Sequence, residues 1–251
     1  MVRGIEQFKE HFSAYRDRYV LIGGTACKVV MEEVGLEFRA TKDLDIVLVV
    51  EALDTDFVSA FWDFINKGGY QNRQRSTGKD LFYRFYSPSN TDFPVMLELF
   101  SRVPDFVKLG EGSHLTPIST SEKTASLSAI LLNEDYYNFT QSGKQEVDGL
   151  PVVEASHLIP LKARAWLDLR GRKQSGNPVN EKDIRKHKND ILRLYQLLTP
   201  ASRIEVPHTI KQDMAKFLDH LSHEPVEMKN IGLNQIRFDD VLKNLQQIYG
   251  L

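Results

Sequence analysis

The chain has 251 residues, a formal net charge of −2 and a hydrophobic fraction of 41%. That length suits one large domain or two modest ones, and the apolar share is enough for a real core and excludes a disordered chain. No apolar run approaches the roughly 18 residues that span a bilayer, no charged-then-apolar signal pattern opens the chain, and the single cysteine, Cys27, excludes both a disulfide framework and a multi-cysteine zinc site. A cytoplasmic chain with no membrane partner is the expectation.

Ile5, Phe8, Phe12 and Tyr15 fall at helical spacing and predict an amphipathic opening helix. Tyr19 to Ile22 reads as a buried strand ended by a turn at Gly23-Gly24, and Thr25 to Glu33 as a helix. Asp45 to Val50 is a second β-prone run. Phe57, Phe61, Phe64 and Ile65 mark a helix stopped at Gly68-Gly69. Leu81 to Tyr86 and Val95 to Phe100 read as strands, with further short β-like runs at Leu127 to Leu132 and near Val152-Val153 and a polar stretch from Gln141 to Gly149. From Leu158 onward the pattern is helical: Leu158 to Leu169, Asn180 to Leu198, Thr209 to Leu221 and Phe238 to Tyr249, with a loop from Gly171 to Pro178. The expected class is α+β: a mixed sheet with flanking helices over 1–110, a connecting region at 111–157 that completes it, and a helical part over 158–251.

Asp43 and Asp45 are two apart at the start of an extended run, so both carboxylates project from one face of a strand. Two like charges this close repel unless something positive lies between them. A divalent cation is the usual solution, and Mg²⁺ prefers a few carboxylates completed by substrate phosphates. Glu98 lies inside the apolar run Val95 to Phe100, where an uncompensated charge is costly; it reaches a cation or the exposed end of the strand. Gly23-Gly24-Thr25, between a strand and a helix, allows close backbone approach to a phosphate, and the Thr25 hydroxyl can donate to a phosphate oxygen or cap the helix. Singly, each feature is more often a turn, a surface loop or an edge-strand residue. In this order they point to a phosphate and metal site.

Ile22-Gly23-Gly24-Thr25-Ala26, followed by Arg39-Ala40-Thr41-Lys42-Asp43-Leu44-Asp45-Ile46, resembles the motif pair of the DNA polymerase β-like nucleotidyltransferases, and more closely the AbiEii type, the toxins of type IV toxin–antitoxin systems. The resemblance implies a nucleotidyltransferase-like fold in which Gly23, Gly24, Thr25 and Lys42 meet the nucleotide. It also implies that Asp43 and Asp45 hold Mg²⁺ or Mn²⁺ and that Glu98 stands at the third acidic place, where the superfamily more often has Asp. It continues through Leu161-Lys162-Ala163-Arg164-Ala165 and, more loosely, through Lys182 to Ile191. There it implies nucleotide contacts for Lys162, Asp183 and His187 and catalytic support from Asp190. The motifs bracket residues 22–190, and the last sixty residues carry none.

Independently of resemblance, Asp183, His187 and Asp190 fall within about 60° of one another on a helix, beside an apolar stripe of Ile184, Ile191, Tyr195 and Leu198. This polar cluster either lines a cleft or is a solvated face with i,i+4 ion pairs. From Lys162 to Arg193 there are ten Lys and Arg against four Asp and Glu, a local excess of +6. That excess suits a triphosphate and an acceptor such as tRNA, or is ordinary solubilising surface. The seven histidines show no metalloprotease spacing, and no Walker A or Gly-x-Gly-x-x-Gly sequence is present. The expected activity is NMP transfer from an NTP to an acceptor that is tRNA, protein or a small molecule, in a chain that resembles a toxin with an antitoxin partner. The alternative is a decayed site that only binds a nucleotide or a protein partner.

Overall fold

The computed structural model describes residues 2–49, 52–72, 83–102, 115–118 and 127–251, the side chains of 115–118 and 127–131 excepted. The described chain is α+β, with strands confined to its first part and a C-terminal part built of helices. It divides into two compact units, 1–153 and 154–251. The second begins four residues before the helical start read from sequence, because helix capping begins at Glu154. The expected 110/111 boundary lies outside the described residues.

In the first unit, α1 (Ile5–His11) and a 3₁₀ turn (Ser13–Tyr15) replace the single opening helix. β1 (Tyr19–Ile22), α2 (Gly23–Glu33), β2 (Asp43–Leu48) and α3 (Thr55–Gly68) follow, then β3 (Arg84–Tyr86), β4 (Met96–Ser101), β5 (Leu115–Ile118) and β6 (Leu127–Leu131). Positions 50, 81 and 82 of the expected strands lie outside the described residues. The polar stretch from Gln141 to Gly149 is not irregular: α4 (Glu134–Ser142) ends in it and β7 (Lys144–Val147) turns through Asp148-Gly149 into β8 (Leu150–Val153). The helix has no clear sequence period because its Tyr136, Tyr137 and Phe139 sit among polar residues, and its start is set by Asn133, whose side chain accepts from the Asp135 N–H.

The strands form one mixed sheet in the order β5-β6-β4-β2-β1-β8-β7, with β3 also on β4. β1 and β2 are antiparallel, while β2 and β4 are parallel with Asp45 opposite Glu98. In-register partners share a face. One face carries Tyr19, Leu21, Leu44, Ile46, Leu97 and Phe85, all buried. An aromatic layer from α1 and α3 covers it: Phe8 meets Tyr19 edge-on at 5.4 Å and Phe64 at 5.6 Å, and Phe61 meets Phe85 at 5.6 Å. Each such buried ring contributes about 1.5–3 kcal/mol by leaving water, enough to fix which face is core. The opposite face carries Asp43, Asp45, Glu98 and Arg84 at one end of the strands and buried Val20, Ile22 and Val47 beside them.

The second unit comprises α5 (Ala155–Gln174), α6 (Glu181–Leu194) with a 3₁₀ turn to Leu197, α7 (His208–Ser222), a 3₁₀ turn at Met228–Ile231 and α8 (Phe238–Ile248). α5 runs through the Gly171 to Gln174 part of the expected loop. Pro160 lies inside it. Proline has no N–H, so the Ser156 carbonyl one turn earlier loses its helical donor. The hydroxyl of Tyr249, from the end of the chain, donates to that carbonyl at 2.6 Å. Burial holds the Tyr249 hydroxyl well above its ordinary pKa, so it stays a donor. No helix of the described residues is long and apolar enough to cross a membrane.

Tyr249→Phe should lower unfolding stability by about 1–3 kcal/mol, the cost of a buried orphan acceptor. Adding Pro160→Ala should restore most of it by returning the helical N–H. Denaturant titration of the two single variants and the double variant measures the coupling.

Candidate functional site

The first cluster is built by β1, α2, β2 and β4. β1 passes directly into α2, with Gly23 at φ +69° making the turn. A β-carbon on Gly23 would overlap Oδ2 of Asp45 and lie 2.6 Å from its Cγ. Glycine is thus required twice, for a left-handed backbone and for the space Asp45 occupies. At Gly24 a β-carbon would come within 2.6 Å of Thr41 Oγ1 and 3.3 Å of an Arg39 guanidinium nitrogen. Thr25 Oγ1 donates to the Asp43 carbonyl at 2.7 Å. Its proton ties the start of α2 to β2 and the side chain is fully buried, so the hydroxyl does not donate to a phosphate oxygen as the sequence suggested, and only the Thr25 backbone is left for a ligand.

β2 alternates half-buried Asp43 and Asp45 with buried Leu44 and Ile46, the pattern of two carboxylates on one face. Lys42, just before them, is exposed. The Ile22 N-cap of α2 makes no side-chain cap, so the positive end of the helix dipole faces the region where Asp45 lies against Gly23. Gly23, Gly24, Thr25, Asp43 and Asp45 lie together at this end of the sheet. Glu98 joins the same face through its register with Asp45, but its carboxylate is held by Arg84 on β3, whose Nε donates at 2.8 Å and whose terminal nitrogen bonds the same oxygen. Arg84 is the residue that sequence reasoning missed. Its signal was register: a cation directly across from a buried acid, visible only once β3 is paired to β4.

Asp43 and Asp45 supply the hard oxygen donors Mg²⁺ prefers, in a cradle that a side chain at position 23 would fill. Among the described residues no group of three or more His, Cys, Asp and Glu side chains is gathered as a metal cluster. A cation at the pair would therefore complete its coordination with phosphate oxygens and water.

The second cluster lies in the helical unit. Lys162 on α5 donates to Asp190 Oδ2 on α6 at 3.0 Å, with side-chain exposures of 6% and 0%. The two residues that resemblance casts as nucleotide contact and catalytic acid are here one buried ion pair. Asp183 is exposed and His187 half-buried, so the three helix positions do not form one polar surface: Asp190 has rotated into the core with Ile184 and Ile191. Nearby charges are also paired. Arg164 meets Asp213 at 3.0 Å, Lys188 meets Glu224 at 3.6 Å, Arg172 meets Asp168 at 3.9 Å, and Lys173 bonds Glu181. The Arg170 hydrogen bond holds the Glu224 carboxyl below its ordinary pKa. Of these acids only Asp213 and Glu224 lie outside Lys162 to Arg193, so the pairings reduce the local excess of +6 by two.

No protein-family model matches the chain, and no curated protein matches it.

Gly23→Ala should destabilise by about 1–2 kcal/mol from the left-handed backbone alone, and more through displacement of Asp45. Gly24→Ala, which meets only the ends of Thr41 and Arg39, should cost less. Equilibrium unfolding of both variants tests the order. Lys162→Met should cost about 3–5 kcal/mol by taking the cation from the buried Asp190 carboxylate. Protonation of that carboxyl would relieve the loss, which should shrink as pH falls toward the unfolded aspartate value of about 3.9. Unfolding curves between acid and neutral pH check this.

Proposed function

We propose that the chain is a metal-dependent nucleotidyltransferase that moves NMP from an NTP to an acceptor hydroxyl. The observation that carries this reading is the Gly23–Asp45 contact. It joins a helix start without a side-chain cap, a pair of same-face carboxylates and a backbone surface without a β-carbon at one end of the sheet. A triphosphate would lie on the Gly23-Gly24-Thr25 backbone, whose N–H groups and dipole favour anions. Asp43 and Asp45 would hold Mg²⁺ or Mn²⁺, which when bound supplies positive charge to the phosphoryl group under attack. Thr25 keeps helix and strand in register through the Asp43 carbonyl, and Arg39, lying over Gly24, adds a cation beside the turn. The similarity to AbiEii-type enzymes supports the same reading and names the acceptor classes: tRNA, protein or small molecule.

A second reading, a site that binds nucleotide without transferring it, draws on two pairings. Glu98 and Asp190, the further carboxylates that transfer would recruit, are engaged by Arg84 and Lys162.

Asp45→Asn should lower transfer from α-labelled NTP by roughly a hundredfold or more, as loss of a metal ligand does, with little change in unfolding midpoint because Asn keeps the shape of the side chain that lies against Gly23. Labelling equal to wild type would refute the mechanism. Wild-type NTP binding without label on any acceptor class would favour the second reading.

A further inference from the structure

The positive excess between Lys162 and Arg193 survives internal pairing in large part, and helical spacing gathers some of it at one place. Trp166, Arg170 and Lys173 recur every three or four residues along the second half of α5, and Glu181, Ile184, Arg185 and Lys188 do the same along the first half of α6, so each set shares one face of its helix. These two faces and Glu224, just past α7, line a cavity of about 460 Å³, a size within the roughly 300–1,000 Å³ of small-molecule sites.

Four cations line this cavity against two acids. Arg170 and Lys188, with side chains only 26% and 17% exposed, share a single carboxylate, that of Glu224. Lys173 is met by Glu181. Arg185, exposed at the cavity wall, has no ion-pair partner among the described residues. The Arg170 guanidinium carbon lies 4.6 Å from the ring centre of buried Trp166, which holds a flat fork of donors against an apolar wall. Positive charge in a concavity with low-dielectric walls draws anions more strongly than the same charge spread over a surface.

We propose that this cavity binds a small organic phosphate carrying two or more negative charges. The surplus of two cations over acids matches one doubly ionised phosphoryl group. Guanidinium forks and ammonium groups are the side chains that hold such a group, and Ile184 and Trp166 give the uncharged part of the ligand an apolar contact. The site lies wholly within the helical unit, and the proposal does not rest on the transfer reading of the Gly23 and Asp45 cluster.

The test is titration of inorganic pyrophosphate, with chelator and without metal ion, into the full chain carrying Trp62→Phe, which leaves Trp166 as the only tryptophan. Its emission should change saturably. Arg185→Gln and Lys188→Gln should each weaken binding roughly three- to tenfold, the range of one charge-assisted contact, and Glu224→Gln, which removes the internal competitor, should tighten it. Lys182→Gln, at an exposed α6 cation that does not line the cavity, should leave binding unchanged and carries the comparison with the equally exposed Arg185→Gln. Asp45→Asn should also leave it unchanged. Absence of saturable binding, both in emission and in equilibrium dialysis of labelled pyrophosphate, would overturn the proposal. Equal weakening by Lys182→Gln and Arg185→Gln would overturn it too, since the anion would then sense only the general field. So would tight binding of a short single-stranded RNA, weakened by Arg185→Gln, in a chain that does not bind pyrophosphate: the cavity would then be part of a nucleic-acid surface. Loss of NTP transfer in Asp45→Asn with pyrophosphate binding intact would show the two sites to be separate.

Discussion

A carboxylate fills the space that a β-carbon on Gly23 would need, and the organisation of the first unit follows from that contact. For Asp45 to lie there, β1 must end at Ile22, the chain must turn left-handed at once, and β2 must run antiparallel with Asp45 opposite Ile22. Shifting the register by one residue would send both aspartates into the aromatic layer of α1 and α3 and bring Leu44 to the surface. The aromatic rings thus enforce the location of the acids without touching them. Phe8, Phe61 and Phe64 make one face of the sheet so apolar that charge has only the other to occupy.

Buried or half-buried charge is handled in both units by pairing across elements. Glu98 with Arg84 joins β4 to β3, Lys162 with Asp190 joins α5 to α6, and Arg164 with Asp213 joins α5 to α7. Such pairs add little net stability compared with well-packed apolar residues, but breaking one partner is costly. They specify which elements may neighbour one another. They also bear on function, because two acids that resemblance would place in catalysis are held by cations of the same unit. A site of this kind has its charge balanced in advance, and what binds it must replace or use those internal cations.

α5 shows the same economy with neutral groups. Pro160 removes one helical hydrogen bond, and Tyr249 returns it from the far end of the chain. The end of the chain, which carries no motif, is thereby tied to the first turn of the unit's longest helix.

The sequence by itself determined the α+β class, β1 to the residue, α3 with its Gly68-Gly69 stop, the later helices to within a few residues, and the shared face of Asp43 and Asp45. These are consequences of local periodicity and of glycine's backbone freedom, which act over a few positions. The tertiary structure alone decided α4 and β7, whose polar residues carry no clear period and whose stability comes from neighbours. It also decided that Asp183 faces solvent while Asp190 is buried on Lys162, and that Arg84 stands across from Glu98. Helical spacing sets angles to within a turn, but which side is core depends on the partner helix. Likewise a lone acid in an apolar strand announces that a cation must exist, and only strand pairing names which one.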